Sequence, residues 1–537
     1  MKNTLFVALL FIALVGACLA QTQFVRAVGG FYYEYASGLV QTSDSGYAMT
    51  GWTSTYGAGN RDIFLLKFSS TGEFQWAHAI GGTGRDVGNS LVQTKDGGFA
   101  VTGWITGLGA GGNDLFLMKF NSLGVLEWSR AVGGTSDEGG ESVVQTSDSG
   151  YAVAGWTISY GAGGHDLFFV KFSSTGVFQW ARTIGTSTWN EKAWSIIQAY
   201  DGGYVMVGEA AIFSGYGDAL YVKFSLAGEF QWARAVGASG MTFDSGLSLV
   251  QTTDSGFASS GFTNAFGAGG YDLFLIKLNS AGEFQWARAV GGTGDDGGIS
   301  TFYYPLAGLV QTSDDGFAMV GYTYSFGAGG NDLFLVKFTS TGAVEWSRAV
   351  GGTGYDDCSS VVQTSDGGFA VAGETNSFGA STSDLFLVKF DAAGNTCLGA
   401  AISPTVTTVT PSVASPSLSV ASPSPTVTVV TPTVTEICTD FDVTEIIIKP
   451  QGFEIAVSPN PFNSSCDISA PFGAKIEIYD LQGKCVGAGL VPAQQQGDHE
   501  GRPYIWHPEK EMGSGIYLVK ATTKNGLTAT KRIMYLK

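Results

Sequence analysis

Apolar and polar positions follow a strand rhythm through most of this chain. Ser90 to Thr94 and Phe99 to Ile105 are short runs rich in β-branched and aromatic residues, separated by Lys95-Asp96-Gly97-Gly98. In such a turn Asp can bond the backbone and Gly can take positive φ, which predicts a hairpin. Asp114 to Phe120, largely aromatic and apolar, is followed after Asn121-Ser122-Leu123-Gly124 by Val125 to Val132, which predicts a second hairpin.

This four-strand pattern repeats. Phe-Gln-Trp-Ala-Arg-Ala-Val-Gly-Gly returns with variations around Trp76, Trp128, Trp180, Trp232, Trp286 and Trp346, at separations of 52, 52, 52, 54 and 60 residues. Phe24 holds the same place 52 residues before Trp76. Val-Gln-Thr-x-Asp-Gly/Ser-Gly-Phe/Tyr occurs seven times, degraded in its fourth copy, with Asp44, Asp96, Asp148, Asp201, Asp254, Asp314 and Asp366. Asp-Leu-Phe-Leu-x-Lys-Phe also occurs seven times, from Asp62 and Lys67 to Asp384 and Lys389.

Four strands in about 50 residues resembles a β-propeller blade, with the layout of WD-repeat and related propellers. The Trp-Asp and Gly-His signatures of true WD repeats are absent. The chain opens on a lone fourth strand, Phe24 to Gly30, and the repeats end after a third strand, Asp384 to Phe390. The expected fold is therefore all-β: a seven-bladed β-propeller over residues 21–398, closed by the N-terminal strand. An open solenoid of stacked hairpins is the alternative.

The chain has 537 residues and 78 glycines without a Gly-X-Y period, which excludes collagen and agrees with a turn-rich β protein. With 28 Lys+Arg against 46 Asp+Glu, a net charge of −18, nucleic acid is a poor partner. Residues 1–20 have the layout of a signal peptide: Lys2, an apolar stretch from Leu5 to Val15, then small residues before Gln21. That stretch falls short of the roughly 20 apolar residues that span a bilayer, and no later segment approaches them, so no transmembrane segment is expected in the mature chain. Val15-Gly16-Ala17-Cys18 resembles a lipoprotein cleavage box, whereas Cys18-Leu19-Ala20 fits ordinary cleavage after Ala20. No cysteine pair has CxxC spacing, and one or two disulfides are expected, Cys466 with Cys485 or Cys397 with Cys438.

Residues 399–437 are rich in Thr, Val, Ser and Pro and read as a semi-rigid extended spacer. Residues 438–537 regain strand signals. Within them Val457-Ser458-Pro459-Asn460-Pro461-Phe462, Ile476-Glu477-Ile478-Tyr479-Asp480-Leu481-Gln482-Gly483-Lys484, Gly515-Ile516-Tyr517-Leu518-Val519 and the basic Lys531-Arg532 resemble the C-terminal sorting domain of the bacterial type IX secretion system. The resemblance implies a small Ig-like β-sandwich, recognition by the outer-membrane secretion machinery, and delivery to the cell surface or the medium.

Residues that recur in every repeat are expected to be structural. The Trp series should pack between blades, and each Lys of the third marker should meet the corresponding Asp of the next blade. A further acid precedes each Val-Gln-Thr marker: Glu34, Asp86, Glu138, Glu191, Asp244, Asp296 and Asp356. Placed in the loops between blades, these carboxylates either attract a cation such as calcium or hydrogen-bond the loop backbone. Features that break the symmetry point to a ligand: Phe31, Tyr32 and Tyr33 before the first blade, Trp189 and Trp194 before the fourth, and Phe302, Tyr303 and Tyr304 before the sixth. Aromatic rings on loops suit sugars or another protein, and they also suit filling gaps between loops. The four histidines form no HExxH or Ser-His-Asp arrangement, so no catalytic residue is assigned. The expected function is a non-catalytic, secreted or surface-attached protein binding glycan or protein; the rivals are a polysaccharide-acting enzyme with rim carboxylates and a structural surface-layer component.

Overall fold

The computed structural model describes residues 23–212, 217–299, 305–379, 383–396 and, with interruptions, segments between 398 and 537. All described secondary structure is strand and turn. The chain divides into two compact parts, residues 1–447 and 448–537.

In the larger part the repeats fold into antiparallel four-strand sheets. The first repeat contributes Glu34–Gln41, Tyr47–Thr53, Asp62–Phe68 and Phe74–Gly81 in that spatial order. The second and third strands are buried on both faces, which explains their unbroken apolar and aromatic runs. The last repeat supplies only three strands, Asp356–Gln363, Phe369–Thr375 and Asp384–Phe390; its fourth is Phe24–Gly29, paired so that Val25 lies opposite Val388.

First strands stand side by side in chain order, and the seventh, 356–363, lies beside the first, 34–41. A chain of equivalent hydrogen bonds follows the same order. The turn amide of Ser43 donates to Gln93 Oε1 at 2.8 Å, Lys95 to Gln145 at 2.8 Å, Ser147 to Gln198 at 2.7 Å and Tyr200 to Gln251 at 2.7 Å. Thr253 and Ser313 donate likewise to Gln311 and Gln363, and Ser365 donates to Gln41 Oε1 at 2.9 Å. The Gln of the second marker thus ties each repeat to its neighbour, and the last repeat to the first.

The Trp series packs between repeats, as expected. Trp76 meets Phe99 of the next repeat edge-on at 5.9 Å, Trp180 meets Tyr204 at 6.2 Å, and Phe24 in the equivalent place meets Tyr47 at 5.7 Å. Each ring lies under a positive-φ glycine of the neighbouring turn; a Cβ on Gly228 would stand 2.9 Å from the ring of Trp180.

The Asp–Lys expectation is corrected. Each buried Lys of the third strand turns to the hairpin Asp of its own repeat, Lys67 Nζ to Asp44 Oδ2 at 2.9 Å and Lys171 Nζ to Asp148 Oδ2 at 3.0 Å. Lys and hairpin Asp lie within reach because strands two and three are in register across Tyr47 and Phe68. The third-strand Asp instead caps its own loop, Asp62 Oδ2 accepting the Gly59 amide at 3.0 Å.

The stretch read as a spacer is extended, but it does not stand clear of the sheets. Its short strands add to the outer edges of the repeats in reverse order. Ala400–Ala401 pairs with the sixth repeat, Thr405–Val409 with the fifth, Ser412–Ala414 with the fourth and Ser419–Ala421 with the third. Thr426–Thr428 then pairs with the second, Thr433–Glu436 with the first, and Asp442–Glu445 with Phe24–Gly29.

The smaller part has a three-stranded sheet (Ala456–Ser458, Cys466–Ser469, Tyr504–Trp506) and a four-stranded one (Lys475–Tyr479, Cys485–Leu490, Gly515–Thr522, Thr528–Tyr535). They share a core that includes Ile468, Trp506, Ile478, Val519 and Ile533. Cys466 is buried and Cys485 exposed, and the expected bridge between them is absent. Cys397 and Cys438 lie outside the described residues.

Candidate functional site

The start of each first strand, the end of each second and the start of each third lie at one rim, since Glu34 pairs with Thr53 and Thr53 with Asp62. The loops between repeats emerge at this rim. Phe31 is 88% exposed there, beside Tyr32 and Tyr33, and Trp189 is 44% exposed in the loop before the fourth repeat. Trp194 is not on that loop: it lies within the strand Lys192–Gln198 and packs against a buried cluster. Phe302, Tyr303 and Tyr304 lie outside the described residues.

The seven acids at this rim are fully buried. Each caps its own loop. Glu34 accepts the Gly30 amide at 3.0 Å and the Thr53 hydroxyl at 2.9 Å; Glu138 accepts Gly134 N at 2.7 Å and Thr157 Oγ1 at 2.8 Å. Asp86, Glu191, Asp244, Asp296 and Asp356 are held in the same way. Loop backbone and hydroxyls thus occupy these carboxylates, and among the described residues no group of three or more His, Cys, Asp or Glu side chains is placed to share an ion.

Six of these acids, all but Asp244, also face the third-strand Asp of the preceding repeat across a glycine. A Cβ on Gly133 would stand 2.0 Å from Asp114 Oδ1 and 2.5 Å from Glu138 Oε2, and Gly81 is likewise flanked by Asp62 and Asp86. Only glycine fits between the two carboxylates. Burial, reinforced by the facing charge, lifts Asp86 and Asp332 to about 6 and Glu191 and Asp272 to about 7.

Sequence reasoning missed a second asymmetric set. Every described first strand except the sixth, which is interrupted, shifts register by one residue partway along, and the extra residue is Ser37, Asn89, Glu141, Trp194, Leu247 or Ser359. A β-bulge of this kind re-aims a side chain out of the ladder. All six, with Ala307 of the sixth repeat, line one chamber of about 250 Å³ to which the first strands of all seven repeats contribute. The readable signal was the third position after the loop acid in six of the repeats, which varies between a small residue before it, Ala, Gly or Cys, and Gly or Ser after it.

Within this chamber Glu141 Oε1 accepts the Trp156 indole N–H at 2.8 Å and Oε2 accepts Asn89 Nδ2 at 2.8 Å. Burial raises Glu141 to about 7, opposed by the charge of Lys192 and aided by that of Glu209. Lys192 Nζ lies 5.3 Å from the Trp156 ring and 5.6 Å from that of Trp194. Outside the chamber lining, in the seventh repeat, burial and the neighbouring Asp357 push Glu374 up to about 8, with Ser383 Oγ donating to it at 2.7 Å. Such groups can keep a proton near neutrality, which suits hydrogen bonding to hydroxyls as well as acid chemistry.

Residues 456–535 match the secretion system C-terminal sorting domain family. The sorting domain marks the protein as secreted, or attached to the cell surface, by type IX secretion, and implies contact with that machinery. No curated protein matches the chain. Among the described residues no helix is long and apolar enough to cross a membrane.

Proposed function

We propose that the sorting domain exports a closed seven-bladed β-propeller, that its own fold is an Ig-like sandwich, and that the propeller is a non-catalytic binding module for extracellular glycan or protein. The cyclic order of first strands and the seven Gln links support closure. The observation that carries the binding reading is that the loops between repeats expose aromatic rings at one rim, Phe31, Tyr32, Tyr33 and Trp189 among them, in loops rich in Gly, Ser and Thr. Exposed rings with polar edges stack on sugar faces. Calcium is no part of this reading, because the rim carboxylates cap loops; addition of calcium or EDTA is expected to leave the melting temperature unchanged.

The test is a glycan-array screen of the full secreted chain, with a parallel assay for release of reducing ends. Binding without cleavage, weakened at least tenfold by Phe31→Ala with Trp189→Ala, is expected. Product formation would favour a polysaccharide-acting enzyme, for which Glu141, the carboxyl group lining the chamber, is the candidate proton donor. Absence of any glycan or protein ligand would leave a structural surface component.

A further inference from the structure

The bulge residues, with Ala307 in the sixth repeat, line one chamber on the common axis, where the seven repeats offer Ser, Asn, Glu, Trp, Leu, Ala and Ser in turn. We propose that the axial chamber is a second binding site, distinct from the loop rim, and that it takes a single neutral polyol unit such as one pyranose residue. The proposal rests on the closed ring proposed above.

The chemistry of the wall selects this class. Glu141, the one charged side chain among the lining residues, disfavours an anion, and a single carboxylate that already accepts from Asn89 and Trp156 offers too few oxygens to hold a cation. What remains on offer is hydroxyl and amide hydrogen bonding. Ser37 Oγ is buried without a hydrogen-bond partner. Ser90, Ser142 and Ser195 accept the amides of Val143, Ile196 and Leu249 at 3.2–3.3 Å, and a hydroxyl that accepts still has its own proton to donate. Trp194 supplies a flat ring on the same wall. Asn89 and Trp156 hold the Glu141 carboxylate in one orientation, and each of its oxygens keeps a further lone pair for a ligand hydroxyl. A chamber of about 250 Å³ lies just below the roughly 300–1,000 Å³ usual for small-molecule pockets, which suits one sugar ring rather than a chain of them.

Entry is from the hairpin rim. Tyr35, Trp52, Val87 and Tyr322, drawn from the first, second and sixth repeats, pack as one cluster with Trp104 against it. Repeats that are not neighbours meet there only across the axis, so this cluster closes the chamber toward the loop rim.

The experiment titrates the full secreted chain with methyl glycosides of glucose, galactose, mannose and N-acetylglucosamine, following tryptophan fluorescence and saturation-transfer NMR. At least one should give a saturable response. Glu141→Gln should weaken it tenfold or more, Leu247→Trp should abolish it by filling the chamber, and the rim change Trp189→Ala should leave it intact. Melting curves establish that each variant is folded, and Ala307→Leu gives a second, smaller obstruction should Leu247→Trp not fold. No saturable response to any glycoside, a response that survives both obstructions, or one lost in Trp189→Ala would overturn the proposal. Small-angle scattering on the same samples separates the premises: an elongated rod removes ring closure, whereas an unresponsive disc removes only the chamber site and leaves rim binding to the array.

Discussion

Asp272→Asn tests whether the paired carboxylates at the repeat junctions retain a proton. Asp272 is fully buried, its Oδ2 accepts the Ala268 amide at 3.1 Å, and its Oδ1 meets no donor. That bare oxygen faces the carboxylate of Asp296 across Gly291, where a Cβ would stand 1.9 Å from Asp272 Oδ1 and 2.8 Å from Asp296 Oδ2. Burial first, then the Asp296 charge, raises Asp272 from 3.8 to about 7. Because the folded pKa lies above the unfolded one, this group contributes stability that is complete below about pH 4 and lost as pH rises through about 7. At about 1.4 kcal/mol per unit the ceiling is about 4 kcal/mol, and an effect of about 2–4 kcal/mol between pH 4 and pH 8 is expected. In the variant the amide donates toward Asp296, replacing the proton with a permanent donor. Denaturant unfolding at unit steps from pH 4 to pH 8 should therefore give a shallower fall for the variant, with the variant at least as stable as the parent at pH 8. Parallel pH curves, or an equal loss at both ends of the range, would refute the shared proton.

Other perturbations follow from single features of the repeat. Ser149 sits at φ 63°, a position held by Gly97, Gly202 and Gly367 in other repeats, so Ser149→Gly should stabilise by about 0.5–1 kcal/mol in denaturant unfolding. Gly228 has φ 74° beneath Trp180, and Gly228→Ala should lower stability by about 1–3 kcal/mol; an unchanged melting temperature would mean the contact is slack. Asp148→Ala strips the counter-charge from buried Lys171 and should cost about 1–3 kcal/mol, discounted because the carboxylate is half exposed. Its hydrogen bonds, with Lys171, hold Asp148 down to about 2, so the parent keeps this contribution above about pH 4 and loses it only as pH falls toward 2, a loss the variant should lack. Val420→Pro removes an amide within the strand added to the third repeat and should raise proteolysis between residues 415 and 428 with little change in melting temperature; an unaltered digest would refute the pairing.

Periodic features of the chain were legible because seven copies average out local ambiguity. The four strands, the hairpin turns and the Trp packing each depend on neighbours within a repeat or one repeat away, and those distances change little between most copies. Partners fixed by register were harder. Five-residue spacing between Asp62 and Lys67 put them on opposite faces correctly, but the hairpin Asp lies 23 residues before Lys67 and becomes its neighbour only once strands two and three align. The loop acids left two readings open, a cation or the loop backbone, because sequence does not show how far a loop folds back; here their own loops cover them and supply the hydrogen bonds. The bulge position escaped notice for the opposite reason: it is variable, and attention to recurrence passes over the residues that do not recur.

The Thr-, Val-, Ser- and Pro-rich stretch shows how composition can give the right backbone and the wrong destination. Its residues favour extended chain, and extended it is, yet Val406, Val413, Val420, Val427 and Val434 recur every seven residues. Each of these stands opposite the same place in successive repeats, Val290, Val236, Ile184, Val132 and Ile80. Seven extended residues reach at most about 25 Å, which covers a three-residue pairing and the step to the next outer edge. A free spacer needs no period at all, whereas a strap that laces equivalent edges must advance by one fixed step per edge. The lacing also covers part of each fourth strand's unpaired edge, where other chains could otherwise add. Because it runs opposite to the order of the repeats, it ends at Asp442–Glu445 on the strand with which the repeats began, immediately before the sorting part of the chain.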